Sequence, residues 1–203
     1  MLLMRSCLLL LTLLLSSSLL AGGYSTLSNR VAPVVAADKI EVTSIFSYGC
    51  PFCYQLETLL EAWAVGLPDD VQVVHLPAVF NPQWEHLARA YYVMEGLEIT
   101  DQAHMRLFDR IHQDKANLNS QRALRNFFAD LGVSAEEVDD LYSSFGVNSA
   151  IQRDTARLGS FRVSGVPALV VDGRYVIDGR SAGGLDKMLQ VADQLIEQVR
   201  KQR

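Results

Sequence analysis

Cys50-Pro51-Phe52-Cys53 places two thiols three residues apart, a spacing that lets a disulfide close and open reversibly. The pair lies where one pattern gives way to another. Ile40-Glu41-Val42-Thr43-Ser44-Ile45-Phe46 is apolar and β-branched, and the residues after the pair place Leu56, Leu59, Leu60, Trp63 and Leu67 at helical spacing. A strand therefore feeds a helix whose first turn holds both sulfurs. Unpaired N–H groups and a partial positive charge at a helix N-terminus favour thiolate over thiol, and can bring a cysteine pKa from about 8.5 into the range ~3.5–7.5. Pro51 suits the first helical position, where a missing N–H costs nothing and a fixed φ is already helical. Cys50, at the cap, is expected to be the exposed nucleophile, and Cys53, one turn inside, the resolving thiol.

Two other readings of the motif stay open at this point. A C-x-x-C is half of many zinc sites, but structural zinc takes four ligands, and neither a second such pair nor a closely spaced His pair follows. His75, His86, His104 and His112 are scattered along the chain and read as surface or helix-face residues, so no metal ligands are expected. An inert structural disulfide is the other reading.

The first residues, Met1 to Arg5, lead into an apolar run from about Cys7 to Leu20 and then Ala21-Gly22-Gly23. This is the charged, apolar, small-residue order of a secretory signal over residues 1–23, with the cleavage site open and an uncleaved anchor as the alternative. Cys7 would leave with the signal, so of three cysteines only the redox pair would remain, in a compartment that permits disulfides. The formal charge of the whole chain is −5; losing Arg5 makes it more negative, and no basic block points to nucleic acid or anionic lipid.

Val71-Gln72-Val73-Val74-His75-Leu76 reads as a second strand, and Pro77 and Pro82 bracket a loop. From about Gln83 to Ser160 the pattern is helical, with stripes at Leu87, Ala90, Tyr91 and Met94, at Leu107, Phe108 and Ile111, and at Leu124, Phe127, Phe128 and Leu131. Ser134 and Glu137 have capping-box spacing. Val166–Val171, a tight Asp172-Gly173 turn and Arg174–Ile177 form a hairpin. A final helix puts Leu185, Met188, Leu189, Ala192, Ile196 and Val199 on one face.

Phe46-Ser47-Tyr48-Gly49-Cys50-Pro51-Phe52-Cys53-Tyr54, Leu76-Pro77-Ala78, Val163-Ser164-Gly165-Val166-Pro167 and Gly179-Arg180-Ser181-Ala182-Gly183-Gly184 together resemble the DsbA family of bacterial periplasmic thiol:disulfide oxidoreductases, in order and spacing, from about Gly22 onward. The resemblance implies an α/β fold: a thioredoxin domain over 24–81 and 161–203 with an all-helical domain, 82–160, inserted. It implies that Cys50 and Cys53 are the redox pair, that Pro167 is a cis-proline facing them, and that Val166 offers backbone groups to an extended client, a mode of recognition tolerant of client sequence. It further implies a periplasmic monomer without cofactor, whose partners are exported polypeptides with free cysteines and a membrane reoxidase of the DsbB type.

Two departures from the family concern how oxidising the pair is. The best-known members carry Pro-His between the cysteines, whereas Phe52 removes a potential cation beside the Cys50 thiolate, which predicts a weaker oxidant. The family often buries a Glu with a Lys or Arg beneath the inner cysteine, and Ser44 and His75 are expected at the matching strand positions. A reductase or isomerase, a zinc module and a non-enzymatic chaperone remain the rival functions.

Overall fold

The computed structural model describes residues 22–203; the expected signal and its apolar run lie almost entirely outside the described residues. Five strands form one mixed sheet: β1 (Ser25–Thr26), β2 (Ile40–Phe46), β3 (Val71–Pro77), β4 (Ala168–Val171) and β5 (Tyr175–Asp178), in the order β1-β5-β4-β2-β3. The helices are α1 (Pro51–Ala64), α2 (Pro82–Gly96), α3 (Thr100–His112), α4 (Gln121–Ala129), α5 (Ala135–Tyr142), α6 (Phe145–Phe161), α7 (Gly179–Ala182) and α8 (Leu185–Gln202). No helix among the described residues is long and apolar enough to cross a membrane.

Strand β2 lies between β4 and β3 and is buried at every position, as expected for a strand covered on both faces. It runs parallel to β3, through the crossover helix α1, and antiparallel to β4. Side chains of successive strand residues alternate between faces. Leu169 and Val171 join Val42, Leu56 and Leu60 of α1, and Met188, Ala192 and Ile196 of α8. Ala168 and Val170 turn the other way, onto Ile45, Leu76, and Leu158 and Phe161 of α6. The β4–β5 turn has Asp172 and Gly173 both at positive φ, +53° and +62°, the conformation that matches strand twist in a two-residue hairpin.

Helices α2 to α6 follow one another between β3 and β4. Leu87, Ala90, Tyr91 and Met94 are buried, as are Leu107, Phe108, Leu124, Phe127 and Phe128, and they pack in the same cluster as Phe46, Tyr48, Cys50 and Cys53. Ser134 and Glu137 form a complete capping box on α5. Strand β1 and the single-turn α7 are too short to show a period in the sequence. The α1 stripe is shorter than expected: the helix ends at Ala64, and Leu59 is exposed. The hairpin strands start later than expected, leaving Val166 and Pro167 outside β4.

One buried ion pair ties α6 to the sheet. Glu41 on β2 is fully buried; its carboxylate accepts from Arg157 Nη2, from Thr43 Oγ1 at 2.5 Å and from the Val34 N–H at 2.7 Å. Arg157 lies over the Phe161 ring, its guanidinium carbon 5.1 Å from the centroid. Removing one partner of such a pair strands a charge, so Arg157→Ala should destabilise the protein by about 3–5 kcal/mol in urea unfolding. The double change Glu41→Leu with Arg157→Met should recover part of that loss. A single-variant loss under about 1 kcal/mol, the size of a surface pair, would contradict this account.

Candidate active site

Cys50 is the N-cap of α1, with extended backbone (φ −102°, ψ 116°). It stands where Ser, Thr, Asp or Asn is the usual choice, and its Sγ does the capping work, accepting from the Cys53 N–H at 3.3 Å. Pro51 occupies the first helical position as expected, and the first turn of α1 contains no acidic residue. The positive end of the helix is thus left for the sulfur. Gly49 is required by close approach: a Cβ there would lie 2.8 Å from Trp84 Nε1 at the start of α2.

Both thiols are reduced and buried. Cys53 is 1 % exposed and Cys50 only 7 %, so the expectation of an exposed Cys50 is corrected: the cap holds its sulfur in a pit, while Phe52 beside it is 61 % exposed. The two cysteines are driven apart in acidity. Hydrogen bonding from the Cys53 thiol, then from the backbone N–H groups of Cys53 and Phe52, brings Cys50 down to about 6 against the opposing effect of burial. Cys53 is pushed far up, first by burial, then by sharing its proton with Cys50 and by the charge of Glu57. One sulfur is set to be thiolate near neutrality and the other to keep its proton.

The Val166–Pro167 bond is cis, and the Val166 carbonyl lies 3.7 Å from Cys50 Sγ. Beside them opens a groove of about 940 Å³ lined by Phe52, Val163 to Pro167, Val176, Arg180 and Leu185. Residues far apart in sequence, Phe52 and 163–167, thus share one surface next to the sulfur.

Beneath the pair the structure departs from expectation. Ser44 is buried and pairs with His75 in the β2–β3 register, but His75 does not act through Ser44. Its Nε2 meets Glu57 Oε1 at 2.7 Å. Glu57, one turn along α1 from Cys53 and 2 % exposed, is the buried acid here, in place of the expected Ser44. Its signal in the sequence is its spacing: position 57 follows Cys53 by four residues and so shares its helix face. Burial opposes ionisation of Glu57, yet the facing imidazoles, His75 foremost, hold its carboxyl at about 2. Burial works against the His75 cation too, but Glu57 outweighs it and raises the pKa above the ordinary value.

His104, read as a helix-face residue, is 6 % exposed and lies with His75 and Glu57. His112 also reaches the site, its Nε2 lying 2.8 Å from the Tyr48 carbonyl. His86 lies elsewhere, against the Tyr142 hydroxyl. Thiol–disulfide exchange itself needs only the two sulfurs.

The DSBA-like thioredoxin domain family matches residues 41–195. The chain belongs to this family. The DsbA-like chain is 39 % identical over 168 residues to the thiol:disulfide interchange protein DsbA of Azotobacter vinelandii, covering 83 % of this chain and 78 % of that protein. It is 36 % identical over 177 residues to DsbA of Pseudomonas aeruginosa, covering 87 % and 83 %. The crystal structure of P. aeruginosa DsbA superposes with a TM-score of 0.83 at 35 % identity, over 89 % of this chain and 94 % of that one. DsbA from Xylella fastidiosa gives 0.82 at 30 %, over 88 % and 95 %. The fold is the DsbA-like thioredoxin fold, and the activity is that of a thiol:disulfide oxidoreductase.

The divergent acidities make a measurable statement. Alkylation of the reduced protein by iodoacetamide, mapped by mass spectrometry, should modify Cys50 with a rate that is half-maximal near pH 6, and should leave Cys53 unmodified through neutral pH. A half-maximum above pH 8 would remove the thiolate assignment.

Proposed function

We propose that this oxidoreductase works in the periplasm as a disulfide donor to exported polypeptides. The observation that carries the reading is the split between the two thiols: a Cys50 anion held by the helix cap stabilises the dithiol form, and a stabilised dithiol form makes the disulfide more oxidising, though less so than with a cation at position 52. A client thiolate attacks Cys50 Sγ of the Cys50–Cys53 disulfide, forming a client–Cys50 bond and releasing Cys53 sulfur, which takes up a proton. A second client thiolate then attacks the client sulfur of the mixed disulfide. The client leaves with a disulfide, and the protein keeps two electrons and the Cys50 thiolate.

In this reading residues 24–81 and 161–203 are the thioredoxin unit and 82–160 the inserted helical unit. The client backbone lies in the groove beside Val166 and Pro167. A membrane reoxidase of the DsbB type restores the disulfide, approaching over Phe52, the segment from Pro77 to Trp84, and Pro167. The exposure of Phe52 and of Phe80, 61 % and 42 %, supports an apolar approach of this kind.

Three measurements test the proposal. Cys53→Ser should trap a mixed disulfide through Cys50 with a reduced model client, and Cys50→Ser should neither trap nor oxidise it; the reverse pattern would exchange the two roles. A glutathione redox titration should place the midpoint well above about −270 mV, the level of a dedicated reductase such as thioredoxin, and a midpoint at that level would favour the reductase reading. Phe52→His should raise the midpoint, since an imidazolium beside the cap adds to the stabilisation of the Cys50 anion. Each ~30 mV corresponds to about 1.4 kcal/mol for the two-electron couple, and an unmoved midpoint would show that position 52 does not tune the thiolate.

A further inference from the structure

Behind the redox pair, three side chains from three elements converge: Glu57 of α1, His75 of β3 and His104 of α3. Their donor atoms all lie within 4.8 Å of one another. His75 Nε2 is 2.7 Å and His104 Nε2 3.4 Å from the same carboxylate oxygen, Glu57 Oε1. Glu57 and His104 are almost wholly buried, at 2 % and 6 % exposure.

Tyr48 Oη lies 2.6 Å from His104 Nδ1 and 3.7 Å from Met94 Sδ, so a Tyr48 hydroxyl turned to the sulfur accepts from Nδ1–H and leaves the Nε2 lone pair free for a cation. Among the described residues Nε2, fully buried, has no hydrogen-bond partner, and an unpaired buried polar atom costs about 1–3 kcal/mol. A cation held by Nε2 and Glu57 Oε1 satisfies both atoms.

We propose that Glu57, His75 and His104 form a binding site for a divalent transition-metal ion of the Zn²⁺ class. Two imidazoles and one carboxylate are a donor set such ions accept, with one position left open. Zinc ligands at about 2.0–2.2 Å in a tetrahedral arrangement stand roughly 3.3–3.6 Å from one another. The His104–Glu57 separation, 3.4 Å, already lies in that range, and the His75–Glu57 pair, at 2.7 Å, has to open by roughly 0.6–0.9 Å as the metal replaces the proton they share. Tyr48 on His104 Nδ1 supplies the outer hydrogen bond that fixes a ligating ring. The open position faces a cavity of about 430 Å³ that Glu61, Glu95 and Asp101 also line. These acidic side chains give a cation a favourable entrance. The site lies one helical turn from Cys53 but uses neither sulfur, and it stands independently of the direction in which the redox pair works.

The test uses the disulfide form of the full mature protein, in which the thiols are unable to bind metal. Titration calorimetry with Zn²⁺ should show one ion bound per chain, and Co²⁺ should give the intense visible absorption of a tetrahedral site. Glu57→Gln and His104→Gln should each weaken Zn²⁺ binding at least tenfold, while His86→Gln, at a histidine outside the cluster, should leave it unchanged. No uptake by the oxidised wild type would overturn the proposal without recourse to any variant. Equal affinity in wild type, Glu57→Gln and His104→Gln would do so as well, by placing the ion elsewhere.

Discussion

The chemistry of this protein rests on a sulfur acting as a helix cap. In most helices the N-cap side chain relieves one of several unpaired N–H groups and does nothing else. Here the capping atom is also the sulfur whose pKa is lowered, so the hydrogen bond from the Cys53 N–H to Cys50 Sγ stabilises the fold and the thiolate together. A Cys50 pKa of about 6 favours the anion by about 3 kcal/mol relative to an ordinary thiol. The same geometry puts Cys53 inside the first turn, where burial and its neighbour's charge keep it protonated. The difference between the two cysteines is therefore a difference of position along one helix end, three residues apart.

Two buried acids, Glu41 on β2 and Glu57 on α1, are neutralised in different ways. Glu41 meets Arg157, which carries a permanent charge, and the pair fastens the end of α6 to β2. Glu57, nearer the sulfurs, meets two imidazoles instead. Imidazole can hold a proton, release it or bind a metal at neutral pH, so the group behind Cys53 has several available states where Glu41 has one. Glu57 itself raises the Cys53 pKa, and whatever occupies the space between it and the histidines changes the charge that the inner sulfur faces.

The helices between β3 and β4 are part of the site. Cys50 and Cys53 pack in one cluster with Leu87, Tyr91, Leu107 and Phe108. Trp84 of α2 closes over Gly49, His104 of α3 reaches Tyr48 and Glu57, and His112 meets the Tyr48 carbonyl. The sheet and α1 provide the cap; the helices provide the apolar enclosure that makes burial of both thiols possible.

Local features were legible in the sequence because local physics determines them. The strand into Phe46, the helix opened by Pro51, the capping box at Ser134 and Glu137, the Asp172-Gly173 turn and the periodic faces of α2 and α8 all depend on residues within one or two turns of each other. The cysteine pair belonged to this class, since its chemistry follows from a helix end that the residues themselves encode. What only the tertiary structure decided were meetings across the chain. Spacing puts Glu57 on the helix face of Cys53, and His104 reads as a surface or helix-face residue, but nothing in the sequence says which faces of α1, α3 and β3 will be pressed together. The depth of Cys50 also escaped the sequence, because the walls of its pit come from α2 and from the Val166–Pro167 segment, more than a hundred residues away. Burial sets the acidity of a group, and burial is a property of the whole packing arrangement, so the residues that tune the sulfurs became visible only when the elements were assembled.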